Sequence, residues 1–485
     1  MHMRVRDVVQ LLPYARVYGD VEVEVRGIAV HSQHICAGDL FCCVRGVRGD
    51  GEAYVVDALA RGAVAVIASR IVTTDVPVIV VRDVRRAAAA VAAALAGHPS
   101  KQMRIAAVTG TNGKTTTTAM IDHIWQALHI PSGLIGTVVT RYGDVCTRAS
   151  LTTPDVCSLQ RTLCAMRDAG VQRVAMEVSS HALDQGRIIG VDVDVAVLTN
   201  ITHDHLDYHK TMEAYVRAKT LLFSRLGNVH GRVAVINADD AYAQQCIDAT
   251  AASVVTYGIA SEADVRATHI VCTLDETTCV VRTHEQSALL RLPAVGSFQV
   301  ANALAALCVV MTEGVPLHRA CAALASFAPM RGRMERVRAA THCTVFVDYA
   351  HTPDGLRAVL GELRALKRGR LITVFGCGGE RDTEKRPLMG AISAAHSDMT
   401  VVTSDNPRSE RPEDIASDIV SGIAEDHEVH VVLDRARAIA FALDVATEDD
   451  VVLIAGKGHE TVQTIGSEHI PCDDAHIVAA WVAAR

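Results

Sequence analysis

Thr109-Gly-Thr-Asn-Gly-Lys-Thr-Thr116 follows directly on the apolar run Ile105-Ala106-Ala107-Val108. A buried strand, a loop with two glycines and a lysine, and helical periodicity starting at once (Met120, Ile124 and Leu128 four apart) describe a phosphate cradle at a helix N-terminus. Gly110 and Gly113 let the backbone approach a polyphosphate, and the N–H groups around Thr111 and Asn112 make an anion nest. Lys114 adds a point charge. Thr115 is the residue type that reaches Mg²⁺ in such loops, and Thr116 completes the run. Val108 stands where the general G-x-x-x-x-G-K-[ST] pattern has glycine, so the match is partial. ATP is the first ligand to expect.

Outward from this loop, the chain alternates strand and helix patterns. Strands are expected at Arg173–Val178, Val193–Thr199 and Arg232–Ile236, then at Thr344–Val347, Leu371–Phe375, Met399–Thr403, Val429–Leu433 and Val451–Ala455. This alternation predicts an α/β fold with mostly parallel sheets covered by helices on both faces. Before the loop, short β-like runs at Val21–Val25, Ala63–Ile67 and Val78–Val81 lead to an alanine-rich helix, and His98-Pro99-Ser100 reads as a linker. In open α/β sheets, ligands bind beyond the carboxyl ends of the strands. Two such ends are rich in hard donors: Met176-Glu177-Val178-Ser179-Ser180-His181, and His203-Asp204-His205-Leu206-Asp207-Tyr208-His209 after Thr199-Asn200. Glu177 and His205 are candidates to share Mg²⁺ with phosphate oxygens. For His203 and His209 taken singly, a hydrogen-bonded structural role is the default. A rival reading pairs His203 with His205 on a hydrolytic zinc ion, which leaves the phosphate loop unexplained.

The bulk numbers exclude several classes. With 485 residues there is room for about three domains. A composition 49% apolar and 21% charged is that of a folded chain, and 4% aromatics point to aliphatic cores. The net charge of -8 and the scattered basic residues leave no footprint for nucleic acid. Fourteen irregularly spaced cysteines fit free thiols in a reducing compartment. Ala87–Ala96 is about half the length that spans a bilayer, and Met1–Asp20 lacks the apolar run of a secretory signal, so a cytoplasmic enzyme without membrane insertion is expected.

The phosphate loop, Met176–His181 and Asp204–His209 together resemble the Mur ligases of bacterial cell-wall synthesis. Gly296-Ser-Phe-Gln-Val-Ala-Asn302, Gly332-Arg-Met-Glu335, Asp348-Tyr-Ala-His-Thr-Pro353 and Gly456-Lys-Gly-His-Glu460 extend the resemblance over nearly the whole chain. It implies three domains: a uridine-nucleotide-binding domain over 1–100, a central ATPase domain over 101–332 and a Rossmann-like amino-acid-binding domain over 333–485. It implies that Lys114, Thr115, Glu177 and His205 handle ATP and Mg²⁺, with Lys219 carbamylated by CO₂ into a metal-bridging group; read alone, Lys219 is equally a solvated helix charge. Asn302, Arg333, Asp348 and His351 would complete the ATP site. Ser32, Thr152, Thr153, Ser179, Gln185 and Arg187 would contact UDP-N-acetylmuramoyl-L-alanyl-D-glutamate. Asp405-Asn406-Pro407-Arg408 resembles the signature of family members whose acceptor is meso-diaminopimelate, with Arg381, Gly456 and Glu460 in the same pocket and Arg408 suited to a distal carboxylate. A monomer is expected. His31-Ser32-Gln33 departs from the common Asp-Ser-Arg, and Gln299 replaces a usual asparagine. Alternatives left open are a lysine- or ornithine-adding ligase, a folate polyglutamylating enzyme and a nucleotide-binding module without catalysis.

Overall fold

The computed structural model describes residues 2–46, 49–339 and 341–485. Three larger sheets follow one another along the chain, with five, eleven and six strands. The first runs in the order Arg16–Tyr18, Val78–Val80, Ala65–Ala68, Asp39–Cys42, Gly27–Ala29, parallel except for the first pair. Successive side chains point to opposite faces, so Leu40 and Cys42 enter one core and Phe41 the other. The alanine-rich helix Val84–Leu95 covers the first of these faces, capped by the Asp83 carboxylate on Arg86 N–H. Its small side chains admit Val156 and Cys157, from the helix Val156–Asp168 of the next unit, into the same core.

In the second sheet, Arg104–Thr109 lies between Arg173–Glu177 and Val195–Leu198, all parallel. Chain order reverses on either side of this strand, so its carboxyl end is a topological switch point, where open α/β sheets bind ligands. Ala106 and Val108 face the core that holds helices Lys114–Ala127 and Ser297–Met311, while Ile105 and Ala107 face the core under Val156–Asp168 and Met212–Ser224. Removing a large member such as Ile124 would cost about 2–5 kcal/mol. The parallel run continues through Val233–Asn237, Ser253–Gly258 and Val265–Cys272.

The expected strands are present to within a few residues, although Val21–Val25 shrinks to Glu24–Val25. The residue patterns did not anticipate Ser132–Ile135, which is parallel to Arg173–Glu177, or the antiparallel ends beyond it, Val139–Tyr142 with Val145–Arg148 at one edge and Thr277–Arg282 with Ser287–Leu292 at the other. Val139–Tyr142, Val145–Arg148 and Ser287–Leu292 are largely half-exposed or exposed, Ser132–Ile135 is buried but short and opens with Ser-Gly, and none has the continuous apolar run of the central parallel strands.

The third sheet is ordered Glu335–Arg336, Thr344–Asp348, Val451–Ala455, Leu371–Phe375, Met399–Val402, Glu428–Val431, parallel apart from its first short strand. Helices Pro353–Leu366, Lys385–His396 and Pro412–Val420 pack on one face, Arg435–Val445 and Asp474–Ala483 on the other. No helix among the described residues is long and apolar enough to cross a membrane.

Candidate active site

The phosphate loop is seated by close backbone approach. A Cβ on Gly110 would lie 1.8 Å from Thr199 Oγ1, and one on Gly113, whose φ is +85°, would lie 2.3 Å from Asn302 Oδ1. Asn200 clamps Asn112 by accepting from its N–H at 3.0 Å and donating to its carbonyl at 3.1 Å, and the Asn200 carbonyl accepts from Thr111 N–H at 2.7 Å. Lys114 Nζ donates to the carbonyls of Gly110 and Thr111, both at 2.9 Å. Burial lowers its pKa.

Glu177, fully buried at the end of the adjacent strand, accepts from Thr115 Oγ1 at 3.0 Å and from Thr137 Oγ1 at 2.9 Å and N–H at 2.7 Å. Thr137 carries no motif, and nothing in the sequence singled it out. The helix Met212–Ser224 brings Lys219 to the other side of the loop, 1% exposed, where Nζ donates to Gly110 O at 2.7 Å and sits 4.6 Å from the Tyr215 ring centre. It is thus no solvated helix charge. Burial, and Lys114 after it, push the Lys219 pKa well below its ordinary value, which favours the neutral amine.

His205 has a left-handed backbone (φ 55°) and its Nε2 lies 3.3 Å from Asp204 Oδ2, yet burial outweighs that carboxylate and holds the imidazole at about 3. His203 turns to Asp382 of the third unit at 3.2 Å, and His209 is buried with Nε2 unpartnered. The two imidazoles of the zinc reading therefore serve different neighbours. Among the described residues no three or more His, Cys, Asp or Glu side chains form a metal cage. The Thr115 hydroxyl beside the Glu177 carboxylate suits an ion that keeps water and phosphate oxygens as its remaining ligands. Unmodified, Lys219 offers a nitrogen where such an ion prefers oxygen ligands.

The third unit closes the other wall. Arg333 Nη2 donates to Thr115 Oγ1 at 3.2 Å and its guanidinium stacks 4.5 Å from the Tyr349 ring centre. Its Nε is buried without a partner. Asp348 accepts from Met334 N–H at 2.6 Å and Ala350 N–H at 2.8 Å; burial nevertheless raises its pKa to about 6. His351 Nδ1 lies 2.8 Å from Tyr349 O, and burial, with Lys385 nearby, lowers it to about 4. Between these groups and the loop is a cleft of about 260 Å³ lined by Asn112, Gly113, Thr116, Asn302, Arg333 and Asp348.

A second cavity, about 730 Å³, opens between the first and second sheets and is lined by Ser32, Arg85, Gln185 and Arg187. Arg187 donates to Gln185 Oε1 at 2.7 Å and to Thr153 O at 2.9 Å. Thr153 Oγ1 in turn donates to Glu177 O at 2.9 Å and accepts Ser179 N–H at 3.1 Å, and the Thr152 and Thr137 hydroxyl oxygens lie 3.1 Å apart. A continuous hydrogen-bonded floor thus links this cavity to Glu177.

The third cluster lies beyond the sheet's carboxyl edge. Asn406 Nδ2 donates to Glu460 Oε2 at 2.8 Å, and its Oδ1 accepts from Thr464 N–H at 2.9 Å and from Lys457 Nζ at 3.2 Å. Lys457, 0% exposed, also donates to Glu460 Oε2 at 3.0 Å, a role that the Gly456–Glu460 motif does not disclose by itself. Asp405 is buried beneath Gly456, whose φ of +105° and lack of Cβ leave room for the carboxylate. Gly379 has its N–H on Asn406 O at 2.9 Å and has no room for a Cβ against Pro407 O, and the Arg408 guanidinium donates to its carbonyl. Arg381 lies at the outer side of this cluster, flanking Gly378 together with Arg408, with its half-exposed guanidinium 3.9 Å from Asp207 of the second unit.

Comparison with known proteins covers most of the chain. Residues 24–106 match the model described as Mur ligase family, catalytic domain, residues 108–310 the Mur ligase middle domain, and residues 332–458 the Mur ligase, glutamate ligase domain. The UDP-N-acetylmuramoyl-L-alanyl-D-glutamate--2,6-diaminopimelate ligase of Geobacillus kaustophilus is 44% identical over 488 residues, covering 100% of both chains. A solved structure of a ligase with that name aligns with a TM-score of 0.70 at 32% identity, over 100% of this chain and 99% of the other. MurF from Acinetobacter baumannii shares the fold, with a TM-score of 0.71 at 20% identity over 100% and 99% of the two chains. The chain belongs to the Mur ligase family.

Proposed function

We propose that this chain is a cytoplasmic ATP-dependent ligase that joins meso-2,6-diaminopimelate to UDP-N-acetylmuramoyl-L-alanyl-D-glutamate in peptidoglycan precursor synthesis. The observation that carries the reading is the convergence on one strand end of a phosphate loop, a buried Glu177–Thr115 pair and, from the third unit, Arg333. The domains follow the three sheets, 1–100, 101–332 and 333–485.

ATP occupies the cleft between Asn302 and Asp348, its phosphates on the loop N–H groups, Lys114 and Arg333. The peptide lies over the floor of Thr152, Thr153 and Ser179, with its uridine end near Ser32 and its dipeptide near Gln185 and Arg187. Its terminal carboxylate attacks the γ-phosphorus; the bond from γ-phosphorus to the bridging oxygen breaks and ADP leaves, giving an acyl phosphate. Lys114 and the loop donors face the charge that develops on the phosphoryl oxygens. An amine of the diamino acid, neutral when it attacks, adds to the activated carbonyl; phosphate departs and the amide forms, the amine proton passing to solvent or phosphate. Arg408 meets the distal carboxylate and Glu460 the distal ammonium, Asp405, Asn406, Pro407, Gly456 and Arg381 shaping the pocket.

Thr115, Glu177, His205 and a carbamylated Lys219 would hold Mg²⁺, which supplies charge neutralisation when bound. The burial of the Lys219 amine against Gly110 O, which lowers its pKa, supports that modification, since CO₂ adds only to a neutral amine.

The test is isotopic. Peptide labelled with ¹⁸O in its terminal carboxylate should pass one label into inorganic phosphate, and phosphate release should require both the peptide and meso-diaminopimelate. Unlabelled phosphate, or turnover without the peptide, refutes the proposal.

A further inference from the structure

The third sheet's carboxyl edge carries a buried ion pair that nucleotide chemistry does not use. Arg435 opens the helix Arg435–Val445 and Asp474 opens the helix Asp474–Ala483; they are 2% and 0% exposed. They meet as a fork, Nε to Oδ1 and Nη2 to Oδ2, both at 2.7 Å. Two guanidinium N–H groups also reach backbone: Nη2 donates to Ala455 O at 3.0 Å and Nη1 to Ser404 O at 3.5 Å. Ser404 immediately precedes Asp405-Asn406-Pro407-Arg408, and Ala455 immediately precedes Gly456-Lys-Gly-His-Glu460. One rigid, planar group thus grips the roots of both segments assigned to the acceptor. Further out, the segments are tied again by Asn406, which donates to Glu460 and accepts from Lys457.

A buried ion pair is a weak source of stability, because apolar residues of equal bulk often serve as well. Its geometry is what apolar residues cannot supply. We propose that Arg435, held by Asp474, is a positioning residue for acceptor selection: by fixing the root of the Asp405–Arg408 segment against that of the Gly456–Glu460 segment, it sets the separation between the Arg408 guanidinium and the Glu460 carboxylate. A distal carbon bearing both carboxylate and ammonium must satisfy the two groups at once, so it is sensitive to that separation. L-Lysine, which has only the ammonium, is far less so. The inference rests on the acceptor pocket proposed above.

Two variants test it. Arg435→Met/Asp474→Leu replaces the pair with apolar side chains of similar bulk, and Asp474→Asn keeps the shape but removes the charge. Each is assayed for kcat and for KM toward meso-diaminopimelate, ATP and the UDP-linked dipeptide, for its preference over L-lysine, and for its thermal midpoint. The expected result is a rise of about tenfold in KM for meso-diaminopimelate and a matching loss of preference, with kcat and the other two KM values within about twofold. Unchanged acceptor KM and preference in a folded variant overturn it, as does a parallel decline of every parameter with a lowered midpoint, the mark of a purely structural role. A wild-type enzyme that does not prefer meso-diaminopimelate refutes the acceptor pocket itself, before any substitution, and the inference with it.

Discussion

Lys114 and Lys219, around the phosphate loop, donate only to backbone carbonyls, whereas Lys457 and Arg435, under the acceptor pocket, are locked to Glu460 and Asp474. The first region holds two buried amines with no carboxylate hydrogen-bonded to either among the described residues, so a polyanionic ligand completes it. The second has neutralised its own buried charge and keeps its shape before any ligand arrives. Binding strength at the loop should therefore come from charge supplied by the substrate, and selectivity at the pocket from geometry.

The sharpest way to break this contrast is Lys114→Met, which should lower kcat by about 10³-fold, as removal of a preorganised donor at a developing charge does. A loss under about tenfold in ATP-saturated turnover would mean the loop does not rely on that cation. Lys219→Ala should cost about 10²-fold in kcat and regain part of it with added formate or acetate, which can stand where a carbamate would. Rescue by methylamine instead would argue for an ammonium at that position.

Arg408→Lys probes the pocket. Losing the planar fork should lower kcat/KM for meso-diaminopimelate about 10- to 100-fold, the worth of a charge-assisted hydrogen bond, and leave L-lysine nearly unaffected. Equal losses for both acceptors would remove Arg408 from selection.

The smallest effect is on stability against pH. Burial holds His181, His351 and His459 neutral, each at about 4 instead of 6.5. Between those values the unfolded chain binds more protons than the folded one, so these three groups lower stability as pH falls. Asp348, raised by burial from 3.8 to about 6, is protonated more readily in the folded state and offsets part of the loss. The thermal midpoint should fall as pH drops from about 6.5 to about 4. His351→Gln and His459→Gln should each flatten the profile, one beside the nucleotide cleft and one beside the acceptor pocket. A midpoint that rises on acidification would contradict the assignment of neutral imidazoles.

Much of this was legible from residues that are close in sequence. The phosphate loop, Glu177 and the parallel core strands follow from short-range patterns, because a strand end, a glycine turn and a helix start are local events. The antiparallel edges were not legible, since strands such as Thr277–Arg282, Thr-Thr-Cys-Val-Val-Arg, show neither clean alternation nor a long apolar run. Thr137 was not legible either; its role comes from a neighbouring strand end that happens to face Glu177.

From the order of residues alone came the α/β class, the phosphate chemistry and the family resemblance, because these depend on periodicity and on motifs within about ten positions. Only the folded chain decided which charges are compensated. Lys219 and Lys457 are both lysines near apolar sequence, yet one is left facing Gly110 O and the other meets Glu460 and Asn406. The reason is physical: the state of a buried charge depends on desolvation and on partners within a few ångströms, and those partners arrive from segments far apart along the chain.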